Sequence, residues 1–431
     1  MKEPVDSLPE QVIGIILSHV TSARDVVMAS LTCRKWLAAA SHHLHMLSFV
    51  GLDFCRRSGG GALSRGEKHM RITEAVFKVP CLLGLSIRMN EGYQFPAALV
   101  AAWLLHTKKT LRSLTFINSV KPKLNILEKL GGVDSKLECL NWGSVYINNL
   151  DPTIHACPHL ASITFNGSAF VSPGMLEVLL NACPKLEFLC LNHVFIMLDY
   201  VMLERDMELK SASLKTLQID GGLDRLRGHI TVVLLADRLE TLKLANTSIQ
   251  QLKLVQRKGS NTFHSFTLER MHIGQLELGE SVESLNELQI SDQSQDLMMF
   301  SGASNLRKLR LSKLDHAHMG LDKIALLFPR LHWLALDHEQ ASAALKSNGL
   351  GQFSVLGKIV VLELFNGHMN EEFARCIALF LERCPRLEKL RVSGHISSKS
   401  GGPHTGVNMF TTLIIQIMRP YPHIDLQIDF K

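Results

Sequence analysis

The sequence predicts a mixed α/β fold in two parts: a small N-terminal module of three helices, then a curved solenoid whose parallel strands line its concave side. Three observations predict it. An apolar pattern recurs from residue 82 almost to the end, with successive copies starting 21 to 29 residues apart. Several copies are preceded by a helix-like apolar stretch closed by proline. The first fifty residues lack the pattern and carry short helical signals instead.

The opening module is justified residue by residue. Ser7-Leu8-Pro9-Glu10 has the spacing of a capping box, with proline tolerated in a first helical turn. Val12, Ile13, Ile16, Leu17 and Val20 then fall on one helical face. Asp25 to Ser30 forms a second helical stretch, and Arg34, Lys35 and Trp36 open a third.

This segment resembles the F-box. The resemblance rests on Leu8-Pro9-Glu10, Ile16-Leu17-Ser18-x-Val20, Arg24-Asp25-Val26-Val27 and Ser30-Leu31-Thr32-Cys33-Arg34-Lys35-Trp36. Thr32 stands where the family often has Val just before the Cys. The resemblance implies docking on the Skp-type adaptor of a cullin-RING ubiquitin ligase. It assigns Leu8, Pro9, Ile13, Ile16, Leu17, Val20, Val26, Cys33 and Trp36 to the adaptor-binding face or to its support.

Residues 1–50 are therefore expected to form the F-box and 51–81 a linker into the solenoid. Gly59-Gly60-Gly61, flanked by Arg56, Arg57, Arg65 and Lys68, reads as a flexible basic loop. It is no phosphate loop, because Glu67 stands where lysine is required.

Residues 82–431 are expected to form the solenoid. Its copies run from Leu82-x-x-Leu85-x-Ile87 and Leu111-x-x-Leu114-x-Phe116, through Phe263-x-x-Phe266-x-Leu268 and Leu306-x-x-Leu309-x-Leu311, to Leu387-x-x-Leu390-x-Val392. One copy also fits an amphipathic helix, but about thirteen at a mean period near 25 match a leucine-rich repeat. Helices are expected over Met175–Leu186, Ile324–Leu331 and Phe373–Leu387, with Pro184, Pro329 and Pro385 turning the chain into the next strand. Cys157, Cys183 and Cys384 beside these turns read as small buried hydrophobes. The alternating segment Asp425–Phe430 reads as a terminal cap. An F-box followed by such repeats looks like a plant-type F-box/LRR-repeat protein.

Composition bounds the function. At 431 residues and 46% hydrophobic, the chain is too long for one compact core and too apolar for disorder. A net charge of +6 is mild and argues weakly for nucleic acid. Nine cysteines and an opening Met1-Lys2-Glu3-Pro4 without an apolar signal stretch fit a reducing compartment, cytosol and/or nucleus. The apolar stretches Phe95–Leu105 and Met409–Met418 are shorter than the roughly 18 residues a span needs, so no membrane contact is expected.

No G-x-S-x-G, H-E-x-x-H or C-x-x-C motif occurs, and no catalytic residue, metal site or cofactor is expected. His42, His43, His45, His316 and His318 read as solvated side chains. Strand alternation places Lys308, Arg310, Lys313, Trp333, Lys389 and Arg391 on the concave side, suited to an acidic or phosphorylated segment of a protein substrate. The expected role is the substrate-recognition adaptor of an SCF-type ligase. The alternatives are a co-receptor sensing a small hormone or metabolite, for which the repeats are few, and a ligase-independent scaffold.

Overall fold

The computed structural model describes residues 8–20, 22–54, 63–89, 92–143, 146–147, 151, 155–167, 170–171, 173–193, 195–196, 207–221, 231–293, 297–314, 320–346, 356–395 and 403–430. The glycine loop at 59–61, Ser7, His316 and His318 lie outside them. The chain forms two compact units, Met1–Arg225 and Leu226–Lys431.

The first unit opens with three helices, α1 (Glu10–Ser18), α2 (Ala23–Ser30) and α3 (Arg34–His43). Helix α1 starts two residues later than the capping-box reading requires. Pro9 is its N-cap, with no side-chain cap, and Glu10 is already helical. In α2, Ser22 caps the helix by accepting from the Asp25 N–H at 3.2 Å.

A parallel sheet follows in the first unit, with strands Met46–Val50, Gly84–Arg88, Ser113–Phe116, Cys139–Gly143, Ser162–Asn166, Phe188–Asn192 and Thr216–Asp220 paired in succession. Register follows the repeat: Leu85, Leu114, Leu140, Ile163, Leu189 and Leu217 stand side by side, each buried. The next inward row contains Phe116 and Trp142, stacked with centroids 4.4 Å apart. Each repeat leaves an apolar edge that only its neighbour covers, so stacking creates the core.

The sheet begins one strand before residue 82. Met46–Val50 pairs with Gly84–Arg88, and Leu44-x-x-Leu47-x-Phe49 is a further copy of the pattern. The segment read as a linker also holds helix α4 (Arg65–Lys78), which opens on a complete capping box between Ser64 and Glu67.

The second unit carries the parallel strands Thr231–Leu235, Thr241–Val255, Ser265–Glu277, Glu287–Gln293, Lys308–Leu314, Trp333–Asp337, Val361–His368, Lys389–His395 and Asp425–Phe430. The repeat starting at Phe263 keeps the register of its neighbours, since Phe266 pairs with Leu242 and Leu288.

Helices Leu321–Leu327 and Glu371–Arg383 precede their strands as expected, as does Pro173–Ala182 in the first unit. Cys157, Cys183 and Cys384 are buried at the turns. The Cys157 thiol donates to the His155 carbonyl at 3.6 Å, and the interaction between the neighbouring Cys157 and Cys183 sulfurs lowers the Cys157 pKa and, with burial, raises that of Cys183.

A helix does not follow every strand. Thr241–Val255 and Ser265–Glu277 run on past the repeat corner and stay paired as far as Lys253 with Glu277. The reason is periodicity: Thr247, Ile249, Leu252 and Leu254 are buried in a pattern close to a strand's alternation rather than a helix's.

A left-handed residue marks the corner after many strands. His193, Asn246, Arg270, Lys313 and Asn366 have φ of 49° to 55°, and Gly167 and Gly221 have φ of 83° and 80°. Each stands four positions after the middle apolar anchor of its repeat.

Candidate functional site

The first candidate surface is built on α1 to α3. Ile13 and Leu17 point into the unit and are fully buried, and Val26 is 3% exposed. Three of the expected adaptor residues therefore hold the helices together from inside. Ile16, Pro9 and Cys33 are exposed, and Leu8, Val20 and Trp36 are half-buried.

The apolar arc of helix α1 is wider than the stripe its own unit buries. Val12, Ile15 and Ile16 are exposed at helical spacing, with Ile16 on the flank of the Ile13 and Leu17 stripe and Val12 and Ile15 farther round. Helix α2 adds Val27, Met28 and Leu31, and α3 adds Leu37, all exposed. Together these side chains make an exposed apolar patch across the three helices. Sequence reasoning put Val12 with the buried stripe and passed over Ile15, Met28 and Leu37; the available signal was that α1 carries more apolar residues than one face can hold.

The surface stands on a rigid base. At Gly14, α1 runs so close to α3 that a Cβ would lie 2.4 Å from the His43 Cβ, so only glycine fits. The Ser22 hydroxyl donates to Asp53 Oδ1 at 2.5 Å, and Asp53 Oδ2 accepts from the Val50 N–H at 2.8 Å. The Ser18 hydroxyl accepts from the His45 N–H at 3.2 Å. These bonds tie the helices to the first strand of the sheet.

The second candidate surface is the open face of the sheet in the second unit. Register brings most of the expected residues together. Lys308, Trp333, Val361 and Lys389 form one row, and Arg310, Ala335, Glu363 and Arg391 form the next. Lys313 is outside both rows, since alternation gives it the parity of the buried Leu309 and Leu311 and only its left-handed backbone at the corner turns it outward.

The expected cluster of cations around an exposed tryptophan is corrected by the ladder. Arg310 bridges across Ala335 to Glu363, Nη1 to Oε1 at 3.0 Å, and lies 4.1 Å from the Phe365 ring centroid. Lys308 lies 3.7 Å from Glu287, and Lys389 lies 3.4 Å from Asp425. Arg391 donates to Gln427 at 3.2 Å. Trp333 is half-buried. This face is thus a mixed-charge lattice and not a basic patch.

In the first unit the corresponding middle row is Ser86, Thr115, Asn141, Thr164, Cys190 and Gln218, without a charge. Asn192 donates to Asn166 at 2.8 Å and Asn166 to Asn141 at 2.7 Å, a ladder of side-chain amides.

Among the described residues no group of His, Cys, Asp and Glu has metal-binding geometry, and no helix is long and apolar enough to cross a membrane.

Comparison with known proteins follows this division. Residues 5–46 match the F-box-like family model. An F-box/LRR-repeat protein of Arabidopsis thaliana is 33% identical, covering 99% of this chain and 100% of the relative. An F-box protein of the same plant is 28% identical over 43% of each chain. Among solved structures, an LRR protein of Leptospira interrogans covers 92% of both chains at 14% identity and a TM-score of 0.36. With an F-box-like segment leading into leucine-rich repeats, and one-third identity along its whole length to a protein so built, the chain belongs to the F-box/LRR-repeat family.

Proposed function

We propose that the chain is the substrate-recognition subunit of an SCF-type ubiquitin ligase. Helices α1 to α3 dock on a Skp-type adaptor, and the open sheet holds a target protein. F-box/LRR proteins are in general non-catalytic adaptors of such ligases, and this chain supplies no nucleophile or general base to the reaction. It acts by proximity, holding the target where another subunit transfers ubiquitin. The reading places it in the cytosol or nucleus.

The observation that carries the reading is the outward apolar set Val12, Ile15, Ile16, Val27, Met28 and Leu31, which the chain leaves uncovered. An adaptor that covers it removes apolar area from water, the main source of association energy. On the sheet, the row Lys308, Trp333, Lys389 and the row Arg310, Glu363, Arg391 suit a target segment of mixed charge around one aromatic anchor.

The experiment is co-expression with a Skp-type adaptor, followed by pull-down and gel filtration. A stoichiometric complex is expected from the intact chain, and its loss is expected from the Leu8→Ala, Pro9→Ala double variant. No complex from the intact, folded chain would overturn the reading in favour of a ligase-independent scaffold.

A further inference from the structure

In the second unit, cations without a carboxylate partner gather along the edge where the strands begin. Arg307, His332 and Val360 are successive residues of one ladder there: the His332 N–H donates to the Arg307 carbonyl at 2.9 Å, and the Val360 N–H to the His332 carbonyl at 2.8 Å. Two residues before the corresponding ladder positions, in the preceding turns, stand Arg330, Lys358 and Arg386. Neighbouring strands are about 4.8 Å apart, so like charges are stacked at close spacing.

These six residues line a cleft of about 430 Å³. All four cations are exposed, and none has a carboxylate partner among the described residues. Arg330 is oriented by Asn305, whose Oδ1 accepts from its Nη1. No carboxylate lines the cleft. The next acid along the ladder, Glu388, stands beyond Val360.

We propose that this cleft binds a phosphorylated serine or threonine of the protein the chain recruits; the inference rests on the target-recruiting reading above. A phosphate monoester carries nearly two negative charges and three acceptor oxygens, which match guanidinium forks from adjacent repeats. An extended polyanion fits less well. The cation cluster is bounded by Asn305 on one side and Glu388 on the other, and its lining offers one imidazole, His332, and no Phe, Tyr or Trp on which successive bases could stack.

The test uses the full chain and two libraries of short degenerate peptides, one with a fixed central phosphothreonine and the other with threonine, read by fluorescence anisotropy at about 0.15 M salt. The phosphorylated library is expected to bind at least about ten times more tightly. Arg330→Gln with Arg386→Gln should abolish that preference while leaving adaptor pull-down unchanged, and Lys358→Gln alone should weaken it. Equal binding of the two libraries overturns the proposal, as does a preference that survives the double variant. Tighter binding of a short single-stranded DNA, lost in the same variant, also overturns it and assigns the cleft to nucleic acid. Failure of the adaptor pull-down with a phosphate preference intact removes the ligase role and leaves the anion site standing.

Discussion

Replacing Ile16 and Leu31 by serine isolates the outward apolar set of α1 and α2 from the fold beneath it. The two side chains are 42% and 67% exposed in the free chain. Full burial of such a side chain contributes about 1.5 to 3 kcal/mol. Scaled by the fraction still open, covering Ile16 contributes about 0.6 to 1.3 kcal/mol and covering Leu31 about 1 to 2 kcal/mol. Together they predict a loss of about 15- to 250-fold in adaptor affinity, at 1.4 kcal/mol per decade. The assay is titration calorimetry of purified chain with a Skp-type adaptor, beside thermal unfolding of the free chain. The melting point should fall only modestly and far less than for a fully buried position, because Leu31 is mostly open and Ile16 is about half covered by its own unit. Ile13→Ala is the contrasting variant: Ile13 is fully buried, and its truncation should cost about 2 to 5 kcal/mol of stability. Unchanged affinity in the serine variant, with a normal melt, would refute the assignment of this face to the adaptor.

Three further outcomes are expected. Gly14→Ala should loosen α1 from α3, costing about 1 to 3 kcal/mol and exposing the N-terminal helices to limited proteolysis. Leu309→Ala, at a fully buried position in the middle of the second unit, should cost about 2 to 5 kcal/mol in urea unfolding. Asp337 is nearly buried and accepts from the Lys313 N–H at 2.6 Å and the Gln340 N–H at 2.7 Å, yet burial outweighs these bonds and raises its pKa. The folded chain then holds this proton more tightly than the unfolded one, so Asp337 contributes less to stability as pH rises through and just above the usual carboxylate range. Urea unfolding at several pH values should show the advantage of the native chain over Asp337→Asn shrinking with rising pH; a growing advantage would contradict it.

Much of the repeat fold was legible because its signal is redundant. Leu309 alone fits a helix as well as a strand, but the same triplet returns at Leu334 and Leu362 and settles the matter. The first strand was hidden, since Leu44-x-x-Leu47-x-Phe49 follows directly on the F-box helices and reads as their tail. The continuation of the strand past the corner near Ile249 is not visible to a single repeat-wide rule, because that stretch has its own alternation. Periodicity also gives an apolar stripe without saying how much of its width is covered, so it groups Ile13, which is fully buried, with Ile16 one turn on at the stripe's open flank. Charge pairing was the least legible. Glu363 lies 53 residues from Arg310 in sequence, and only the ladder, with Ala335 small enough between them, brings the two together.

The one-to-one register also bears on how a chain of this length finds its fold. Parallel strands usually form late, because a long loop must close before any pairing rewards it. Here Leu309 meets Leu334, and Leu334 meets Leu362, so each ladder step closes a loop of a single repeat. The entropy of closing about 25 residues is on the order of 3 kcal/mol, and it is the same charge at every step instead of growing with the chain. Within each unit, assembly can start at any well-packed pair of repeats and spread outward like a zipper, at a pace set by the repeat and not by the protein's full length.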